Sequence, residues 1–154
     1  MRLPTWVKTA AVVTVAAAAP TVATDPSSAW YRDLRKPSWQ PPPAAFPAVW
    51  TPLYGLIAVA GARVLDRSEG GARRSFAWAY GINLTLNAGW SFVFFGARKP
   101  AAALVEIGAL NVSNALLLRS AFRTDRLAGA ALAPYAAWTL FATALTTAIV
   151  RLNK

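Results

Sequence analysis

Trp30-Tyr31-Arg32-Asp33-Leu34-Arg35-Lys36-Pro37-Ser38-Trp39-Gln40-Pro41-Pro42-Pro43, continued by Phe46-Pro47-Ala48-Val49-Trp50-Thr51-Pro52-Leu53-Tyr54, decides how this chain is read. A disordered linker is poor in aromatics, because large apolar rings gain nothing from staying in water. This stretch instead holds three tryptophans and two tyrosines. Its prolines fix φ and cannot join a helical ladder. It reads as an ordered, rigid cap whose rings pack against a neighbour, and its length points to function rather than to a simple turn.

The sequence around the cap is apolar. Of 154 residues, 56% are hydrophobic and only 14% charged, where a soluble domain carries about 25%. The apolar residues cluster in long runs, as in a bilayer protein. The formal net charge is +10, but Lys and Arg sit at the ends of those runs, where membrane proteins keep them to meet headgroups. No basic stripe with interleaved aromatics is present, so no nucleic-acid partner is expected. There are 0 Cys and 0 His. That rules out a disulfide framework, a thiolate nucleophile, a Cys/His zinc site and a Ser-His-Asp triad. No metal site and no required cofactor are expected. A haem would lack its usual His or Cys axial ligand, so a tetrapyrrole would be held by stacking and shape.

A spanning helix needs about 20 mostly apolar residues. Five such spans are expected, at 6–24, 46–65, 75–95, 100–118 and 127–150, with the cap at 25–45. All 154 residues then form a single transmembrane domain, an all-α bundle of five helices. The first run, with Arg2 and Lys8 before an alanine-rich middle, also fits a cleaved leader. Trp6 and Lys8 as interface anchors, and the direct passage into the cap, favour a retained span. Arg63 can snorkel, Pro100 suits a helix start, and 119–126 is a polar, basic break. Short connections after the cap make neighbouring helices antiparallel. Basic residues are shared almost evenly between the two sides, so the positive-inside bias does not orient the chain.

Residues three and four apart share a helix face. In the third span Tyr80, Asn83, Asn87 and Trp90 align. Amides are costly in lipid, so this stripe is expected to point inward, either gluing helices together or meeting a ligand. Ala77, Gly81, Thr85 and Gly89 form a small-residue ladder opposite, suited to another helix and hence to a homodimer. Phe46, Trp50, Tyr54 and Ile57 align in the second span, and Tyr135, Trp138 and Ala142 in the fifth. One aromatic pocket under the cap would join these stripes. Asn111 and Asn114 also face inward. Glu106 is the only acid well inside a span, and a structural pair with an arginine is expected, with a protonated or proton-linked acid as the alternatives.

The run Trp30-Tyr31-x-x-Leu34-x-Lys36-Pro37-x-Trp39-x-Pro41-Pro42, with Phe46-x-x-Val49-Trp50-Thr51-x-Leu53-Tyr54, resembles the TspO/MBR family of tryptophan-rich sensory and translocator proteins. Asn87-x-x-Trp90-Ser91-x-x-Phe94-Phe95-Gly96, Pro134-Tyr135-x-x-Trp138-x-x-x-Ala142-Thr143 and Leu152-Asn153 follow in the same order. The resemblance implies a dimeric five-helix protein of the cell membrane, bacterial by its resemblance, in contact with membrane lipid. It also implies a pocket beneath the first loop for porphyrins such as protoporphyrin IX and haem, or other flat hydrophobic ligands. Carried over by motif, the pocket uses Trp39, Trp50, Tyr54, Asn83, Asn87, Trp90, Tyr135, Trp138 and Ala142, and Trp30, Asp33, Lys36 and Pro41 hold the cap. The first span lacks the glycines many members carry. No tyrosine precedes Arg151, which weighs against the sterol motif of animal members.

Indoles with a few orienting amides suit a flat aromatic ligand, so a porphyrin-binding sensor or regulator is the leading expectation. A light-dependent porphyrin-degrading enzyme, with Trp50 and Trp138 as redox candidates, is the alternative. A transporter of tetrapyrroles or lipids is a further one, although five spans give no paired halves for alternating access.

Overall fold

The computed structural model describes residues 3–154, so Arg2 lies outside the described residues. Six α-helices follow one another: α1 (Thr5–Ala18), α2 (Ala29–Asp33), α3 (Ala45–Asp66), α4 (Gly70–Ser91), α5 (Pro100–Thr124) and α6 (Arg126–Leu152). A 3-10 turn, Ala19–Val22, prolongs α1, and a π turn, Phe92–Gly96, prolongs α4. No strand occurs among the described residues. The chain is an all-α, multi-pass integral membrane protein whose five long helices form the bundle, with short α2 in the cap.

Among the described residues, four segments are long and apolar enough to cross a bilayer: Thr5–Val22, Ala45–Asp66, Pro100–Thr124 and Arg126–Leu152. The remaining helix, α4, is 22 residues long but carries Arg73, Arg74, Asn83 and Asn87. Its asparagines are buried against neighbouring helices, so their polarity does not meet lipid.

Several boundaries differ from those read in the sequence. The α geometry of α4 stops at Ser91, because the Ala97 amide reaches back to Phe92 O at 2.7 Å and the ladder takes in an extra residue. Such π turns collect at functional sites. In place of a polar break across 119–126, α5 stays helical to Thr124. Arg119 and Arg123 occupy its last turns, where cations complement the helix dipole. The break shrinks to extended Asp125, whose carboxylate accepts from the amides of Leu127 (2.8 Å) and Ala128 (3.2 Å) and so caps α6. Asp125 Oδ2 also lies 3.0 Å from both Arg63 and Arg67 of α3. One acid thus starts a helix and ties it to another.

Core side chains come from every long helix: Val13 and Ala16, Leu53 and Ile57, Phe76 and Leu84, Leu117, Leu132 and Tyr135 lie in one buried cluster. Gly61 lets α3 approach Tyr80, since a Cβ there would stand 2.5 Å from the ring. Tyr80 is thereby placed to donate to Ile57 O at 2.8 Å. A second cluster, with Phe94, Ala103, Leu145 and Ile149 at its centre, supports the cap from below.

Candidate ligand-binding site

The cap is built first from local bonds. Ser28 caps α2 by accepting from the Tyr31 amide. Lys36 folds back to donate to the carbonyls of Tyr31 and Leu34, with its ammonium 4.4 Å from the Tyr31 ring centroid. Gln40 donates to the Tyr31 hydroxyl at 3.1 Å. Burial pushes that hydroxyl above its ordinary pKa, against the lowering effect of the Gln40 bond. The cap then seats its rings on the π turn. Trp30 meets Phe94 edge-on at 5.7 Å, and Tyr31 lies 5.2 Å from Phe95.

Beneath this roof lies a cavity of about 510 Å³, within the range of about 300–1,000 Å³ usual for small-molecule sites. Phe46, Trp50 and Tyr54 of α3 form one wall, and Asn87 and Trp90 of α4 the next. Trp138, Ala142 and Leu145 of α6 close it opposite, over Ile107 and Leu110 of α5. Trp50 stacks on Tyr54 at 5.2 Å and stands perpendicular to Trp138 at 6.5 Å. Trp90 stacks on Phe94 at 4.8 Å.

A one-way hydrogen-bond chain runs from this wall into the core. Tyr54 donates to Asn87 Oδ1 (3.0 Å), and Asn87 Nδ2 donates to the Tyr135 hydroxyl (3.2 Å). Tyr135 donates to Asn83 Oδ1 (3.0 Å), and Asn83 Nδ2 to Asn114 Oδ1 (2.7 Å). Asn114 Nδ2 donates to Thr139 Oγ1 at 2.8 Å, and Thr139 ends the chain on the Ala136 carbonyl at 2.9 Å. Four helices are joined by amides and hydroxyls that lipid could not satisfy. By contrast, the indole nitrogens of Trp90 and Trp138 are buried with no acceptor among the described residues. Both residues line the cavity. The lining also carries Asn87, Ser91 and Thr146, so the cavity is an aromatic box with scattered polar groups and two unpartnered donors held within its wall.

Of the residues singled out in the sequence, Trp50, Tyr54, Asn87, Trp90, Trp138 and Ala142 line the cavity. Asn83 and Tyr135 lie behind its wall, in the hydrogen-bond chain. Trp39 does not line it. That indole is 50% exposed and sits edge-on to Phe141 at 5.9 Å, roofing a separate shallow groove with Pro37, Ser38 and Arg151. In the cap, Trp30 and Lys36 make the contacts described, Pro41 is half-buried, and Asp33 is exposed with no ion pair among the described residues. The arginine pair expected for Glu106 does not form among the described residues. Its carboxyl oxygens are buried without a hydrogen-bond partner, near Gly89, whereas the ion pairs that do form lie at helix ends. Ala77 and Thr85 are exposed and Gly81 faces open space, while Gly89 turns toward Glu106 of the same chain.

Sequence reasoning missed the contribution of the first segment: Ala17, Pro20, Thr21 and Thr24 also line the cavity. No aromatic or amide stripe marks this alanine-rich segment in the sequence. It also left Phe94 and Phe95 as motif matches without a role, and only the π turn reveals how they enter the wall.

The TspO/MBR family model matches residues 8–152. The chain is 36% identical to the tryptophan-rich sensory protein of Cereibacter sphaeroides over 124 residues, covering 80% of this chain and 77% of that protein. It is 38% identical to tryptophan-rich protein TspO of Chlorobaculum tepidum over 129 residues, 83% of this chain and 82% of that one. Human translocator protein is 33% identical over 127 residues, 80% of this chain and 75% of that protein.

Proposed function

The chain belongs to the TspO/MBR family, and from that premise we propose that it is a membrane sensor or regulator that binds porphyrins, or similar flat hydrophobic molecules, under the cap. The observation that carries this reading is the aromatic cavity of about 510 Å³ with two unpartnered indole N–H donors, on Trp90 and Trp138. A flat ring system gains contact with Trp50, Trp90 and Trp138, and a small turn of the Trp90 or Trp138 ring brings its unpartnered N–H to a carboxylate or carbonyl on the ligand's edge. Tyr54 and Asn87 set the orientation. With no histidine or cysteine in the chain, a metal-free porphyrin such as protoporphyrin IX fits at least as well as haem.

The test is titration of the purified protein with protoporphyrin IX in the dark, read by tryptophan quenching. Saturable quenching that weakens in Trp50→Ala and Asn87→Ala is the expected result. Unsaturable quenching, equal in all three proteins, would remove the porphyrin reading. The contact between Trp50 and Trp138 gives the light-dependent enzyme reading its one specific support. New absorbance bands under illumination, absent in Trp138→Phe, would favour it over a sensor.

A further inference from the structure

The cavity has an open side, where the edge of the cap meets the ends of the α1 segment and α3. Its exposed lining residues are Thr21 and Pro26, at and after the end of the α1 segment, and Pro43, Pro47 and Thr51, at and before the start of α3. Those contributed by α4, α5 and α6 are all buried or half-buried. Lower down, α1 and α3 are in close contact, with Val13 and Ala16 sharing a core with Leu53, Ile57 and Ala60. Above Ala18 the chain tightens into the 3-10 turn at Pro20, and α3 begins in a proline-rich run. The two elements part there. Thr51 lies inside one segment apolar enough to span the bilayer and Thr21 close to the end of another, so the gap between them opens at the boundary between the apolar zone and the headgroups.

The chemistry of the rim agrees. Thr21 donates its hydroxyl to Ala18 O (2.6 Å) and Thr51 to Pro47 O (2.8 Å), so both turn their polar atoms back onto their own helix. What remains is methyl groups and proline rings, a doorway with no polar barrier to an apolar molecule. The roof, in contrast, is held by ring contacts with the π turn and by Asn153, which bonds both backbone groups of Arg35. We infer that ligand enters and leaves sideways from the bilayer, between Thr21 and Thr51, with the cap staying shut, and that these two residues set the rate of exchange. This rests on the binding proposed above. It makes ligands that partition into lipid, rather than water-soluble ones, the class the protein samples.

The test is stopped-flow binding of protoporphyrin IX to the full chain in phosphatidylcholine nanodiscs, read by tryptophan quenching. Phenylalanine at either position narrows the rim without adding an indole. Thr21→Phe and Thr51→Phe, at the exposed rim rather than the buried wall, are each expected to slow association and dissociation about tenfold, with a smaller change in Kd than in either rate. Val15→Phe, which adds the same ring on the exposed face of α1 away from the cavity, is expected to match the wild type, as is Asn153→Ala, which unlatches the cap. Both rim sites are exposed, and a circular dichroism melt of each verifies the fold; the two rim variants stand on different helices, so each checks the other. Faster association in Asn153→Ala with wild-type rates in both rim variants would overturn the lateral route in favour of the cap. Absence of saturable quenching in the wild type would overturn the binding reading itself, and the route with it.

Discussion

Asn153, just past the end of α6, grips the backbone of Arg35 in the cap from a distance of 118 residues along the chain. Its amide nitrogen donates to Arg35 O at 2.8 Å, and its amide oxygen accepts from the Arg35 amide at 2.9 Å. The same nitrogen donates to Ile149 O at 2.8 Å, so the clamp is anchored in the helix it ends. An amide is the one side-chain group that answers both a carbonyl and an N–H in this geometry.

Asn153→Ala is therefore expected to raise amide hydrogen exchange across 29–36 while leaving α4 and α5 unchanged. The bonds are solvent-exposed, so the stability loss is expected to be only about 1 kcal/mol. Asn153→Asp, which keeps the acceptor but not the donor, is expected to fall between. Uniform protection in all three proteins would mean that the ring contacts alone hold the cap.

Replacing Trp90 or Trp138 by phenylalanine keeps an aromatic wall but removes an indole N–H. Each change is expected to weaken binding of protoporphyrin IX by about 0.5–1.5 kcal/mol, the net value of a hydrogen bond. The effect is expected to shrink for an analogue lacking acceptors on its edge. Titration of the two ligands against the three proteins checks this.

Tyr135 joins Asn87 to Asn83 through one hydroxyl. Tyr135→Phe leaves an amide donor and an amide acceptor buried without partners, at an expected cost of about 1–3 kcal/mol. The melting temperature in detergent is the readout. A variant as stable as the wild type would show that the asparagines re-pair among themselves.

Asp125 gives the fold a pH dependence. Burial raises its carboxyl pKa, but the amides of Ala128 and Leu127 and the guanidinium groups of Arg63 and Arg67 outweigh burial, and the net value lies below the ordinary 3.8. A carboxyl depressed in the folded state contributes stability above its unfolded pKa and loses it as pH falls through the folded one. The melting temperature is thus expected to drop as pH is taken below 3.8. Asp125→Asn is expected to start lower and to lose that part of the slope.

The exposed ladder of Ala77, Gly81 and Thr85 is proposed as the contact between two copies of the chain. Gly81 has open space around its Cα on the monomer, so Gly81→Trp is expected to fold normally and to shift a dimer to monomer in sedimentation runs. A dimer that survives the change would place the contact elsewhere.

The helical bundle was legible because apolar runs near the length of a bilayer, punctuated by Arg, Gly and Pro, leave few alternatives. The inward face of α4 was legible for a similar reason, since amides in a membrane helix have nowhere else to go. Trp39 was less so. A loop indole has no periodicity to say which way it points, and this one turns outward onto Phe141. The end of α5 was misread because Arg119 and Arg123 look like a loop in composition, yet suit a helix C-terminus. Thr21 and Pro20 escaped notice because a cavity wall made of small residues carries no chemical signature until the helices are placed.

The measurement that bears most directly on the cavity as the binding site is a dark titration with protoporphyrin IX of the wild type, Ala142→Phe and Trp78→Phe. Ala142 lines the cavity, so a phenyl ring there fills space the ligand needs, whereas Trp78 is 70% exposed on the outside of α4. Saturable quenching kept in Trp78→Phe and lost in Ala142→Phe is the expected result. Equal saturation in Ala142→Phe and the wild type would contradict it and move the ligand out of the cavity.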